Sequence, residues 1–206
     1  MQNKICDKKM SFEECELAVL RSAIDKAEQR DKSKSISPQI KDMIQIVEQF
    51  LRDESCICYG GTAINNLLPK REQFYNYDEE VPDYDFFSSK PIEHATKLVD
   101  LYVKAGYEEV EAKSGVHFGT YKVYVNFIPM ADITLLEKSL FDVLLENSKK
   151  KLGIYYCPPN YLRMSMYLEL SRPKGDISRW EKVLKRLTLL NKYYPVKEDT
   201  CDYKII

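Results

Sequence analysis

Apolar residues recur every three or four positions in two early stretches of the chain. In "SFEECELAVLRSAIDKAEQRD", Phe12, Leu17, Leu20 and Ile24 share a helical face behind Ser11, and Glu14 completes a capping box with it. "SPQIKDMIQIVEQFLRDE" repeats the period with Ile40, Ile44, Val47 and Leu51, with Ser37 as N-cap and Pro38 in the first turn. Two successive helices are predicted. The period then shortens: "SCICYG" predicts a short buried strand ending in Gly60 and Gly61, and "TAINNLLP" a helix stopped by Pro69. "KREQFYNYDEEVP" is polar and mixed and predicts a loop before the extended "DYDFF".

Pro91 opens an amphipathic helix through Ala105 that Gly106 closes. "YEEVEAKS", "TYKVYVN" and "IPMADIT" alternate as strands do, the last two close enough for a hairpin. Beyond Leu135 the pattern predicts helices only: "EKSLFDVLLENSKK", "PPNYLRMSMYLELSR" and "DISRWEKVLKRLTLLNKYY", the last with Asp176 as N-cap. The expected organisation is an N-terminal helical segment (1–36), a mixed α and β domain (37–135) and a helical domain (136–206).

Composition excludes more than it selects. With 206 residues, 44% hydrophobic and 31% charged, the chain has ordinary globular usage. No apolar run approaches a membrane span, and the N-terminus lacks a secretory h-region, so an intracellular protein without a membrane partner is expected. A net charge of −1 supplies no global field for nucleic acid, so phosphate binding must come from a local cluster. The six cysteines form no CxxC pair and lie far in sequence from His94 and His117, which argues against zinc. Cys56 and Cys58 alternate within an apolar stretch and are expected as buried reduced thiols.

Candidate chemistry concentrates in carboxylates. On a strand, Asp83 and Asp85 project to one face while Tyr84 and Phe86 point into the core. Two adjacent carboxylates repel unless solvated, protonated or neutralised by a hard divalent cation, which completes its shell with substrate phosphates. The other reading of a DxD is a solvated turn or edge strand. The glycine pair after a buried strand lets backbone approach a phosphate, and the helix start near Thr62 offers free N–H groups; taken alone, the pair is equally a plain tight turn. Asp132 lies between Ala131 and Ile133 in an apolar strand, where an uncompensated charge is costly. It is the candidate third carboxylate, against the alternative of a strand-end carboxylate at the surface.

In the helical part, Arg163, Arg179, Lys182, Lys185 and Arg186 form a basic collection, with Arg179, Lys182 and Arg186 on one face. They are either triphosphate or RNA contacts or a solvated face balanced by Glu169 and Glu181, and Lys182 is the first choice for nucleotide binding. Trp180, Tyr161 and Tyr167 are candidates for stacking on adenine or for core packing.

A glycine-ended strand followed by Thr62, a DxD strand and a later single-carboxylate strand resemble the DNA polymerase beta-like nucleotidyltransferase superfamily. More narrowly, "YGGTAINNLLP", "PDYDFFS", "GTYKVYVNFIPMADIT" and "YLRMSMYLELSRPKGDISRWEKVLKRLTLLN" resemble the catalytic poly(A) polymerase of poxviruses and other nucleocytoplasmic large DNA viruses. The likeness runs from Cys56 to Asn191.

The resemblance implies an α+β fold: a nucleotidyltransferase palm with a mixed, mainly antiparallel sheet flanked by helices, followed by a helical nucleotide- or RNA-binding domain. It implies template-independent transfer of AMP from ATP to mRNA 3′ ends, with two Mg²⁺ or Mn²⁺ ions on Asp83, Asp85 and Asp132 and the triphosphate on Gly60, Gly61 and Thr62. One ion then activates the attacking 3′-hydroxyl while the other stabilises the leaving pyrophosphate. The other readings are a catalytically silent module for assembly or RNA binding, and a transferase with a tRNA, protein or small-molecule acceptor. The implied partners are an RNA 3′ end and ATP, with a homodimer or a viral stimulatory subunit, in the host cytoplasm or the virion. The viral polymerases carry a further C-terminal domain, so the chain is expected to be a fragment, a split product or a minimal version.

Overall fold

Ser11 and Glu14 cap the first helix reciprocally: the Ser11 N–H donates to Glu14 Oε2 (2.8 Å) and the Glu14 N–H to Ser11 Oγ (3.2 Å). This helix, α1 (Phe12–Lys34), is joined by a Cys6–Cys15 disulfide to the preceding segment. The next, α2 (Pro38–Asp53), starts with Ser37 Oγ accepting from the Ile40 N–H (3.3 Å). The computed structural model describes residues 6, 10–34, 37–76, 81–172, 175 and 177–196. They fall into two units, Met1–Asp42 with Asn76–Val81, and Met43–Tyr75 with Pro82–Ile206. The Asp176 N-cap lies outside the described residues.

The second unit is built on a seven-stranded sheet. Its strands are β1 (Ile57–Cys58), β2 (Tyr84–Ser88), β3 (Val110–Ser114), β4 (Thr120–Val125), β5 (Ile128–Leu135), β6 (Lys149–Lys151) and β7 (Ile154–Tyr156). Their order across the sheet is β3-β4-β5-β2-β1-β7-β6. The pairings β2 with β5 and β1 with β7 are parallel and the other four antiparallel, so the sheet is mixed and mainly antiparallel as expected.

Between β4 and β5, Asn126 and Phe127 both take positive φ (49° and 64°), the two-residue turn whose twist matches flanking strands. The helices are α3 (Gly60–Leu67), α4 (Pro91–Lys104), α5 (Lys138–Glu146), α6 (Pro159–Leu170) and α7 (Trp180–Tyr193).

One expectation fails. The β pattern does not disappear after Leu135, because β6 and β7 form a hairpin there around Leu152 and Gly153, both at positive φ. Lys149 and Lys150 close the stretch expected as a helix; with Lys151, all exposed, they sit instead on an edge strand, where lysines discourage further pairing. The loop over Lys70–Glu72 likewise carries a 3-10 turn.

The two faces of the sheet differ. Tyr84, Phe86, Val123 and Ile133 point to the face that α4 covers, and all are essentially buried. There the Tyr84 hydroxyl donates to Glu48 Oε1 (2.7 Å), Phe50 of α2 meets Phe86, and the Tyr102 hydroxyl of α4 donates to the Met43 carbonyl (2.8 Å). The opposite face carries Asp85, Phe87, Asp132, Thr134, Lys122 and Thr120, following the strand alternation.

Candidate active site

Gly60 is required by conformation and by crowding, whereas the atoms nearest Gly61 are the ends of side chains that can shift. Gly60 has φ 69°, and a Cβ there would collide with the Asp85 carboxylate; a Cβ on Gly61 would collide with the Tyr75 hydroxyl and the Arg186 guanidinium. The helix begins at Gly60, two residues earlier than the sequence suggests, with Tyr59 in the cap position and no side chain capping it. The first-turn N–H groups are therefore left uncapped by any side chain. Two contacts fix this turn against the DxD strand. The Tyr59 N–H donates to the Asp85 carbonyl (2.9 Å), and the Thr62 hydroxyl donates to the Asp83 carbonyl (2.7 Å).

Register brings the third carboxylate in. Asp85 of β2 is the Cα partner of Asp132 of β5, which is in turn the partner of Lys122 of β4, so three charged side chains form one row on one face. With Asp83, immediately before β2, the carboxylates offer oxygen atoms all within 4.8 Å of one another. Burial, then the neighbouring Asp83 and Asp132, pushes Asp85 up to about 7. Asp83 is raised as well, by partial desolvation and then by Asp132.

Part of the Asp132 charge is compensated by a residue that the sequence did not single out. Lys122 Nζ is ion-paired with Asp132 Oδ2. Asp132 Oδ1 is buried and has no hydrogen-bond partner among the described residues. An acceptor left orphaned beside two further carboxylates fits a hard divalent cation, which binds through oxygen. The only sequence signal for Lys122 was a charged residue inside an apolar strand, and its partner was not legible.

The glycine turn is also met by α7. Arg186 donates to the Tyr75 hydroxyl (2.8 Å) and lies over the rings of Phe74 and Tyr75, at 4.8 and 5.5 Å. Asn65 Oδ1 accepts from the Phe74 and Tyr75 N–H groups (2.8 and 3.0 Å), which holds that aromatic pair against α3. Of the basic residues singled out, Arg186 is thus beside Gly61, whereas Arg179 pairs with Glu169 (3.1 Å) and Lys185 with Glu181 (2.6 Å).

Lys182 is exposed on α7. Arg163 stands apart: it is buried, and its guanidinium donates to Asn191 (2.6 Å), Asn160 and the Tyr194 carbonyl, bracing α6 against the end of α7. Tyr161 packs edge-on to Phe87, on which Tyr59 stacks at 3.9 Å, while Tyr167 and Trp180 are partly exposed. The Tyr59 hydroxyl meets Thr134 (2.9 Å), and burial, then Asp85, holds its pKa far above the ordinary value.

The family model described as "Poly(A) polymerase catalytic subunit" matches residues 45–176, which contain the glycine pair and all three aspartates. The chain belongs to the poly(A) polymerase catalytic subunit family. A protein of African swine fever virus (isolate Pig/Kenya/KEN-50/1950), provisionally named a poly(A) polymerase catalytic subunit, is 30% identical over 171 residues, covering 80% of this chain and 36% of its own. One of the same provisional name from Acanthamoeba polyphaga mimivirus is 29% identical over 161 residues, 76% of this chain and 27% of its own.

The crystal structure of the Megavirus polyadenylate synthase superposes with a TM-score of 0.75 at 23% identity, over 93% of this chain and 39% of that one, a likeness of fold. The chain spans about a third of the length of these curated relatives. No helix among the described residues is long and apolar enough to cross a membrane.

Proposed function

We propose that this chain carries the catalytic centre of a polynucleotide adenylyltransferase that adds AMP from ATP, without a template, to the 3′ ends of mRNA. The observation that carries the reading is the convergence of Asp83, Asp85 and Asp132 beside the Gly60 turn, with Asp132 Oδ1 buried and unpartnered, in a chain of the poly(A) polymerase catalytic family. The three carboxylates would hold Mg²⁺ or Mn²⁺. Such ions, if bound there, would lower the pKa of an attacking hydroxyl and neutralise the charge that develops on a leaving pyrophosphate.

The chain's own groups do the rest. The uncapped N–H groups at Gly60, Gly61 and Thr62 receive the triphosphate, since a helix start directs both donors and positive dipole at it. Arg186, pinned by Tyr75 and two aromatic faces, adds a preorganised guanidinium next to those donors. Arg179 and Lys182 lie at helical spacing from Arg186 and serve the triphosphate or the RNA backbone. In domain terms, we take residues 37–135 as the palm, whose sheet β6 and β7 extend beside β1, and α5, α6 and α7 as the helical part that follows it.

The test is incorporation of labelled ATP at the 3′ end of a synthetic RNA with Mg²⁺ or Mn²⁺. Transfer should need the metal and favour ATP over CTP, GTP and UTP. Asp83→Ala with Asp85→Ala should abolish it while the circular dichroism melt is retained. Incorporation that survives the double change overturns the assignment, and transfer to tRNA, protein or small molecules in place of mRNA redirects it to another acceptor.

A further inference from the structure

Lys122 is the one ammonium in contact with the carboxylate trio among the described ion pairs. It is placed there by the sheet itself, because β4 sets its Cα opposite Asp132 just as β2 sets Asp85 on the other side. The contact uses Asp132 Oδ2 and leaves Oδ1 as the buried orphan. Its side chain is a third exposed, and that of Asp132 is 15% exposed, so the pair is only partly screened by water.

We infer that Lys122 is a positioning residue that acts as a resident counter-cation: it holds Asp132 by Oδ2, presents Oδ1 to the metal site, and keeps metal affinity low until a nucleotide is present. The inference rests on the reading of the trio as a metal site. With all three carboxylates ionised, one ammonium leaves a formal charge of −2, enough for a single divalent ion. A second ion is not favoured until a triphosphate brings further negative charge, so loading of the site is tied to the arrival of substrate.

Two consequences of removing Lys122 oppose each other. Asp132 loses an anchor, which costs the ordering of one short side chain, a factor of a few in affinity. The trio gains a full negative charge at contact distance, which a divalent ion feels twice over in a partly desolvated setting. The second effect is the larger, so losing the lysine tightens metal binding. A merely structural ion pair predicts the reverse, since its loss would loosen the ligand and weaken the site.

The experiment is Mn²⁺ titration of the nucleotide-free protein, with free Mn²⁺ read by electron paramagnetic resonance. Lys122→Met, which keeps the length of the stem, should bind Mn²⁺ at least about tenfold more tightly than the unaltered chain, and Lys122→Gln should do the same if the Met variant folds poorly. Lys122→Arg should stay within about threefold of the unaltered chain, because it restores the charge. A triphosphate analogue should raise Mn²⁺ affinity in the unaltered chain by a larger factor than in Lys122→Met. Unchanged or weaker Mn²⁺ binding in Lys122→Met and Lys122→Gln overturns the inference and leaves the metal site standing if the unaltered chain still binds. Absence of Mn²⁺ binding in every variant overturns both.

Discussion

Two polar clusters sit on opposite faces of the same sheet, and they are finished differently. On the covered face, Ser88, Cys56, His94 and Glu54 satisfy one another. Ser88 Oγ accepts from the Lys90 N–H (2.8 Å) and lies 2.8 Å from His94 Nδ1, which Cys56 Sγ also approaches at 3.2 Å; His94 Nε2 faces Glu54 Oε2 at 3.5 Å. Glu54 in turn is paired with Lys97 at the surface. The grouping of serine, histidine and acid resembles a nucleophilic triad, yet Ser88 and Cys56 are fully buried and no substrate reaches them.

On the other face, the aspartates are left with an orphan oxygen and raised pKa values. Closed bonding marks a structural cluster, and unfinished bonding marks one built to receive something.

The strongest way to break the contrast is to remove one member from each side. Asp132→Ala should cut adenylate transfer about 10³-fold, as loss of a group that stabilises developing charge does. Its thermal stability should change little, because loss of the Lys122 ion pair is offset by removal of a buried unpaired oxygen and a repulsive neighbour. His94→Ala should do the opposite. It leaves the buried Ser88 and Cys56 groups without their partner and should cost about 2 kcal/mol of stability by denaturant unfolding, with adenylate transfer retained at low temperature. A His94→Ala protein that is stable but inactive would show that the covered cluster is not structural.

The pH dependence of stability sharpens the same contrast with a smaller effect. Asp85 in the folded, metal-free protein keeps its proton up to about 7, against an ordinary value of 3.8. The folded state therefore binds more protons in that window, and this contribution to stability is lost as pH rises from about 4 through about 7. His94 is lowered from 6.5, chiefly by burial, so the unfolded chain takes the proton first and stability falls as pH drops below 6.5. The two contributions oppose each other between about 4 and 6.5, so single variants, rather than the unaltered chain, separate them in melting temperature against pH. Asp85→Asn should erase the decline toward neutral pH, a difference of about 4 °C, and His94→Gln the decline toward acid. Identical profiles for all three proteins would remove the electrostatic basis of the comparison.

Much of this was legible along the chain. Ser11, Ser37 and Pro91 announced helix starts that the structure contains, because caps act within one turn. Tyr84 and Phe86 turned inward and the β4–β5 hairpin formed, since alternation and a two-residue turn are local properties. The β6–β7 hairpin was not legible. Three exposed lysines carry no apolar alternation, and the strand character of that segment comes from β7 lying beside β1, nearly a hundred residues earlier. Nor was the partner of Arg186, because Tyr75 reaches it across 111 positions of chain.

The amino-acid sequence alone determined which residues had the chemistry: a glycine pair after a strand, two aspartates on one strand face, and a third carboxylate in an apolar strand that demanded compensation. Those are statements about side-chain type and short-range period, which the backbone geometry of strands and helices makes readable. Only the tertiary structure decided that Asp132 meets Asp85, that Lys122 is the compensating cation and that His94 closes a cluster on the covered face. Each of those depends on the register between strands and on which face a helix covers, and register is set by the packing of the whole sheet, which no local stretch of sequence encodes.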